Sequence, residues 1–230
     1  MVDFTFAHRE EGFDNHIEMS IRGYNHLHDD IINLSRYFVE DYTDVVDIGC
    51  STGKTIAAMA EQNKEFAPNT HYVGVEVAEG FKSDMEERQK ILTESYTNQF
   101  TFEFQDIRQY EFNNCSLVTS IFTLQFMPMK DREEVIGRIY DGLNTGGAFI
   151  FSEKTVANNA RIQEMMTFTF YDYKRKNFST EDIMTKEVTL RNMLKPNTWN
   201  ELEDMILGAG FRTIQPFWQN FLFVGAIALK

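Results

Sequence analysis

The 230-residue chain is poor in cysteine and in basic residues. Its two cysteines, Cys50 and Cys115, make neither a disulfide framework nor a cysteine metal cluster. Lys and Arg number 22 against 35 Asp and Glu, a net charge of −13. Such a chain repels phosphate backbones at long range, so a small-molecule substrate, or a partner with basic groups, fits better than nucleic acid. Long hydrophobic runs are also missing. The longest uncharged apolar-rich stretches, 116–129 and 217–229, fall short of the roughly 20 residues a membrane span needs and read as core strands. The first thirteen residues are acidic and broken by charges, so no signal peptide is expected and the cytoplasm is the expected location. Five histidines are present, and His26 and His28, two apart, cannot share a helix face; no metal is expected. No strand–GxSxG–helix nucleophile elbow occurs, and no catalytic residue is assigned.

What is present suits one sizeable α/β domain. Hydrophobic residues make up 43% of the chain and aromatics 14%, enough for a packed core. Apolar positions at helical spacing within 13–40 predict one or two helices as an N-terminal cap over residues 1–40. A cofactor-binding core is expected over 41–155. Its strands fall at 44–48, 71–77, 100–105, 116–122 and 148–152, alternating with helices at 52–66, 80–96 and 130–143. Asn144-Thr145-Gly146-Gly147 reads as the stop of the last of these helices. This alternation predicts a Rossmann-like, doubly wound, mostly parallel sheet. Residues 156–207 read as a helical lid, clearest at 158–176 and 200–207, and 208–230 as a closing antiparallel hairpin with strands at 212–217 and 222–229. A parallel sheet closed in that way is the seven-stranded class I methyltransferase arrangement.

The segment Val45-Val46-Asp47-Ile48-Gly49-Cys50-Ser51-Thr52-Gly53 is strand, turn and helix start. Glycines at 49 and 53 let the backbone turn sharply and approach a ligand closely, while Ser51 and Thr52 can cap the following helix. The spacing is G-x-x-x-G, not the G-x-G-x-x-G that seats a pyrophosphate. Asp47 and exposed backbone groups suit the ammonium and carboxylate of S-adenosylmethionine. Glu76, followed by Val77, ends the second strand and can accept from ribose hydroxyls; Asp106 and Ile107, just past the third, can hold and cover an adenine. Each residue alone is an ordinary loop or strand-end residue. Three such elements at the ends of three successive strands converge on one crevice.

With these residues in view, the chain resembles the carboxy-S-adenosyl-L-methionine synthases of the bacterial tRNA wobble-uridine pathway. The resemblance runs through Phe4-Thr5-Phe6, Gly23-Tyr24, Asp47-Ile48-Gly49-Cys50-Ser51, Phe122-Thr123-Leu124-Gln125-Phe126, Ile139-Tyr140-x-Gly142-Leu143-Asn144, Gly146-Gly147-Ala148 and Ser152-Glu153-Lys154. It continues through Asp172-x-Lys174-Arg175, Ala209-Gly210-Phe211 and Ala228-Leu229-Lys230. The resemblance implies cofactor contacts at Tyr24, Gly49, Cys50, Ser51, Glu76 (Asp in the family), Asp106 and Ile107. Ile121 stands where the family has an Asn, and Glu187 where it has the arginine that pairs with the cofactor's extra carboxylate. Arg191 lies four residues on, on the same face if the segment is helical.

That family uses prephenate to build a carboxylated sulfonium. A carboxylate facing a carboxylate is repulsive, and an acid cannot replace an arginine fork. The expectation is therefore an enzyme that binds ordinary S-adenosylmethionine, or S-adenosylhomocysteine as product, and transfers a methyl group to a small acceptor. Carboxy-S-adenosyl-L-methionine synthesis is the second reading, and a catalytically silent cofactor-binding partner the third. Tyr171, Lys174 and Arg175, with Tyr173 beside them, are the candidates for gripping an anionic substrate. Phe168 and Phe170 read as core or interface; Trp199 and Trp218 are candidates for hairpin packing or a homodimer contact.

Overall fold

The computed structural model describes residues 12–230; Phe4, Thr5, Phe6 and His8 lie outside them. Seven strands form one sheet in the order β3-β2-β1-β4-β5-β7-β6. Strands β1 (Asp44–Ile48), β2 (His71–Glu76), β3 (Gln99–Phe104), β4 (Cys115–Ile121) and β5 (Leu143–Lys154) are parallel. β7 (Phe223–Leu229) runs antiparallel to β5, and β6 (Thr213–Asn220) antiparallel to β7. This is the class I methyltransferase sheet with its closing hairpin. The order reverses between β1 and β4, which opens a crevice at the carboxyl ends of the strands.

Both faces of the sheet are covered, which is why β1 is buried at every residue but Asp44 and β4 at every residue but Ile121. One core layer joins Val45 and Leu117 to α2 (Tyr24–Ser35), α3 (Lys54–Asn63) and α4 (Lys82–Ser95) through Leu27, Ile31, Ile56, Met59 and Met85. The other joins Val46, Ile48 and Val118 to α5 (Met129–Gly142) and α8 (Trp199–Gly208) through Val135, Ile136, Ile139 and Ile206. Trp199 packs on this second layer and Trp218, on β6, on the first.

Two local expectations need correcting. Neither Ser51 nor Thr52 caps α3. Its N-cap is Gly53 at φ 72° with no side-chain bond, and the Thr52 hydroxyl instead donates to both carboxylate oxygens of Asp14 at 3.2 Å. Residues 144–147 do not form a helix stop outside the sheet. β5 begins at Leu143, paired with Cys115, and the helix ends at Gly142, which lies so close to Phe112 that only glycine fits there. Within the region read as helical, α7 (Thr180–Arg191), capped reciprocally by Ser179 and Asp182, lies between α6 (Ala160–Lys174) and α8.

The N-terminal helix α1 (Phe13–Ser20) lies over the glycine turn. Besides Asp14 on Thr52, Glu18 pairs with Lys54 at 2.9 Å. The far end of α6 touches the same helix, with Tyr173 Oη donating to the Glu18 carbonyl at 3.5 Å. Among the described residues no helix is long and apolar enough to cross a membrane.

Candidate active site

A cavity of about 1130 Å³ opens where β1, β2, β3 and β4 end. One end is built from the glycine turn. Gly49 sits at φ 68° and Ser51 at φ 50°, so the chain doubles back tightly. Gly49 N–H donates to the Val75 carbonyl at 2.7 Å. A Cβ at position 49 would collide with the Thr123 side chain, so only glycine lets the turn lie this close to the loop after β4.

Glu76 is buried and its carboxylate organises the turn. It accepts from Ser51 N at 3.0 Å and from Val77 N and Ala78 N at 2.8 Å each. Burial pushes its pKa up, against those three donors. Asp47, behind the turn, is buried and accepts from Thr119 Oγ1 at 2.6 Å. Loss of solvation raises its pKa to about 7, with the Glu76 charge adding to the rise.

Of the sequence-derived cofactor residues, Gly49, Ser51, Glu76, Val77, Asp106, Ile107 and Ile121 line this cavity together. Tyr24, Asp47, Cys50 and Gly53 do not. Tyr24 is buried, with its ring stacked on His28 and tilted against Phe122. Cys50 is buried too, and desolvation holds its thiol well above its ordinary pKa.

The opposite end is walled by α1, α6, α7 and β5. Lys154, Phe170, Lys174, Lys186 and Glu187 line it, with His16 and Ser20 from α1. A smaller cavity of about 220 Å³ adjoins it, sharing Lys154, Phe170, Glu187 and Phe223 and adding Gln163, Thr167 and Tyr171. Lys174 is buried, lies over the Phe170 ring, and pairs with Glu187 at 3.6 Å. Tyr171 hydrogen-bonds to the same Glu187 carboxylate, while burial raises the tyrosine's pKa. Lys154 sits over the Phe170 and Phe223 rings, 5.9 and 6.0 Å from their centroids. Arg175 is exposed, pairs with Asp172 at 2.6 Å and lines neither cavity; Arg191 is exposed at the end of α7 and lines neither.

The sequence reading missed Lys154, Lys186, His16 and Ser20 as lining residues. Lys154 alone carried a signal, as the last residue of Ser152-Glu153-Lys154. Among the described residues no cluster of His, Cys, Asp and Glu is placed to hold a metal.

A family model described as a methyltransferase domain matches residues 46–149. The carboxy-S-adenosyl-L-methionine synthase of Staphylococcus epidermidis is 33% identical over 219 residues, covering 95% of this chain and 92% of the relative. This chain belongs to the carboxy-S-adenosyl-L-methionine synthase family. The synthase of a Shewanella species, strain MR-7, is also 33% identical, over 99% of this chain and 93% of its own. A solved O-methyltransferase structure from Nostoc punctiforme shares the fold at a TM-score of 0.60 and 20% identity, covering 90% of this chain and 56% of that one. As a member of the family the chain is an S-adenosylmethionine-dependent transferase of the class I methyltransferase type.

Two family segments prove to be one structural unit. Phe122–Phe126 follows β4 and Ser152–Lys154 ends β5. Glu153 accepts from Leu124 N at 3.0 Å, and Lys154 N donates to Gln125 Oε1 at 2.7 Å. Glu153 is fully buried, which raises its pKa to about 8 despite the nearby Arg132 cation. Arg132, itself buried, donates to the Met127 carbonyl at 2.8 Å and to the Gln125 carbonyl at 3.2 Å, and bonds Asn197. The loop that presses on Gly49 through Thr123 is thus held from behind by β5 and α5.

Proposed function

We propose that this enzyme transfers a methyl group from S-adenosyl-L-methionine to a small anionic acceptor. Lys154 carries the reading: a lysine on an aromatic floor, shared by the cofactor cavity and the side cavity, with no carboxylate partner among the described residues.

The residues present fit the cofactor. Gly49 keeps the turn tight against Thr123 at the cavity wall, Glu76 presents a buried carboxylate at the end of β2, and Asp106 with Ile107 forms the rim after β3. The bound group supplies an activated carbon on a positively charged sulfur. The chain's own work is to orient and enclose. The turn and Glu76 hold the amino-acid and ribose ends, α1 and the lid exclude water, and Lys154 with Lys174 and Lys186 attracts the acceptor's negative charge. No acid–base dyad is needed for such a displacement.

Glu187 supports ordinary S-adenosylmethionine over the carboxylated form. Its carboxylate, held by Tyr171 and Lys174, faces the cavity and repels an additional carboxylate there. The family relationship favours a second reading, synthesis of the carboxylated cofactor from prephenate. One incubation separates them. Purified enzyme with saturating S-adenosylmethionine and prephenate, followed by mass spectrometry, is expected to give no cofactor heavier by a carboxyl group. Its formation would establish the second reading and remove the first. Binding without turnover on any pool of acidic metabolites would leave a silent cofactor-binding protein.

A further inference from the structure

β3 is the last strand on its side of the sheet, yet its outer edge is not bare. Gln105 N donates to the Glu76 carbonyl at 2.9 Å. In this parallel pair the odd-numbered residues of β3 therefore bond to β2, and Phe100, Phe102 and Phe104 turn their backbone groups outward. Two of those outward groups meet one side chain from α4. Gln89 Nε2 donates to the Phe100 carbonyl at 3.1 Å, and Gln89 Oε1 accepts from Phe102 N at 3.2 Å. A residue of a neighbouring parallel strand would make the same two bonds, to the carbonyl before Thr101 and to the N–H after it. The carboxamide stands where an eighth strand would lie. Seven residues earlier, on the same side of α4, Lys82 lies over the Phe104 ring, 5.8 Å from its centroid. The strand beneath them is Gln99-Phe100-Thr101-Phe102-Glu103-Phe104, an alternation with three phenylalanines and one charge. A free edge of that kind is a template for pairing with another copy of itself.

We propose that Gln89 is an edge guard. It occupies the ladder positions through which β3 would otherwise pair with β3 of a second copy of this chain, and Lys82 places a charge at the far end of the same edge. Phe104 and Gln105 line the cavity, so the guard also keeps a second copy off the rim of the site. The inference is independent of the ligand that the cavity takes.

The test compares wild type with Gln89→Leu, which keeps the side chain's bulk, and Gln89→Ala, which does not; both lack the two bonds. Gln89→Glu keeps an acceptor for Phe102 N and adds charge at the edge. Light scattering over a concentration series is paired with hydrogen exchange of the β3 amides, at high salt so that repulsion between copies of net charge −13 is screened. In dilute solution the Phe102 amide of the Leu and Ala variants is expected to exchange at least about fivefold faster than in wild type, the loss of one hydrogen bond. In concentrated solution both variants are expected to gain mass and the Phe102 amide to slow again. Wild type and Gln89→Glu are expected to keep one mass throughout. Association with the Phe102 amide still fast is aggregation through unfolding and overturns the guard. So does association of Gln89→Leu alone, which reports added apolar surface, or of Gln89→Glu as readily as the others. An unchanged Phe102 amide, or no association of either deletion variant, overturns it as well.

Discussion

The buried carboxylate of Glu153 receives the backbone N–H of Leu124 at 3.0 Å, tying the end of β5 to the loop that follows β4. That one bond links the two sequence segments most particular to the family. Its loss should be felt as stability. Glu153→Ala leaves buried N–H groups without an acceptor and empties space beside buried Arg132, so a loss of about 3–5 kcal/mol is expected in urea unfolding. Glu153→Gln keeps an acceptor and should cost about 1–2 kcal/mol. Equal effects of the two variants would show that the ionisable carboxyl itself, which both lose, matters there, and not its acceptor oxygen or the space it fills.

Stability should fall as pH rises from about 5 to 8. Burial raises the pKa of Asp47 to about 7 and of Glu153 to about 8 in the folded chain. Unfolded carboxyls titrate near 4. Between those values the folded protein holds protons that the unfolded chain releases, so folding takes up protons and weakens as they are withdrawn. Below about pH 4 both states are protonated and the dependence vanishes; above about 8 the loss is complete. Scanning calorimetry at stepped pH reads this directly. Asp47→Asn, which keeps an acceptor for Thr119, should flatten the lower part of the profile, and a wild-type Tm that rises over this window would contradict the assignment.

Gly49→Ala tests the tightness of the cofactor turn. The added methyl meets Thr123, and the backbone is at φ 68°. A stability cost of about 1–3 kcal/mol is expected, with at least a tenfold loss of S-adenosylhomocysteine affinity by calorimetry. Gly137→Ala is the control: nothing lies within 4 Å of its Cβ position on α5, and about 0.5–1 kcal/mol of added stability is expected there.

Glu187→Gln should alter which sulfonium is preferred. Removing the negative charge while keeping the shape relieves repulsion of a carboxylated cofactor, and about a tenfold gain in its affinity is expected, with ordinary S-adenosylmethionine little changed. Competition binding with the two cofactors decides it; a gain of equal size for both would mean that Glu187 does not discriminate between them.

Much of the scaffold is written in local pattern. The β-branched Val45-Val46 and Ile48 of β1, the alternation of strands and helices, and the two final apolar runs each name their element without tertiary help. The same holds for Gly49, Glu76 and Asp106, because strand ends in a parallel sheet converge by topology. What pattern cannot carry is occupancy. Glu76 looks like a free acceptor until three backbone N–H groups are found on it, and Asp106 until Arg108 is. Helix α7 is less distinct in the sequence than α6 and α8 because only Ile183 among its apolar side chains is buried, so no stripe forms. Leu143 reads as helix because the contact at the helix end, Gly142 on Phe112, joins residues thirty apart.

Helix α1 roofs the glycine turn and contributes Phe13, His16, Ile17 and Ser20 to the cavity wall, yet its ties to the turn and to α3 beside it, Asp14 on Thr52 and Glu18 on Lys54, are polar and partly solvated. Contacts of that kind weaken with salt, whereas the turn beneath is fixed by backbone bonds that do not. With the cofactor seated on the turn as proposed, its exchange rate and its affinity would be controlled by different parts of the molecule. Ionic strength should hasten both arrival and departure, the traffic through the roof, while leaving the depth of the well beneath it nearly untouched.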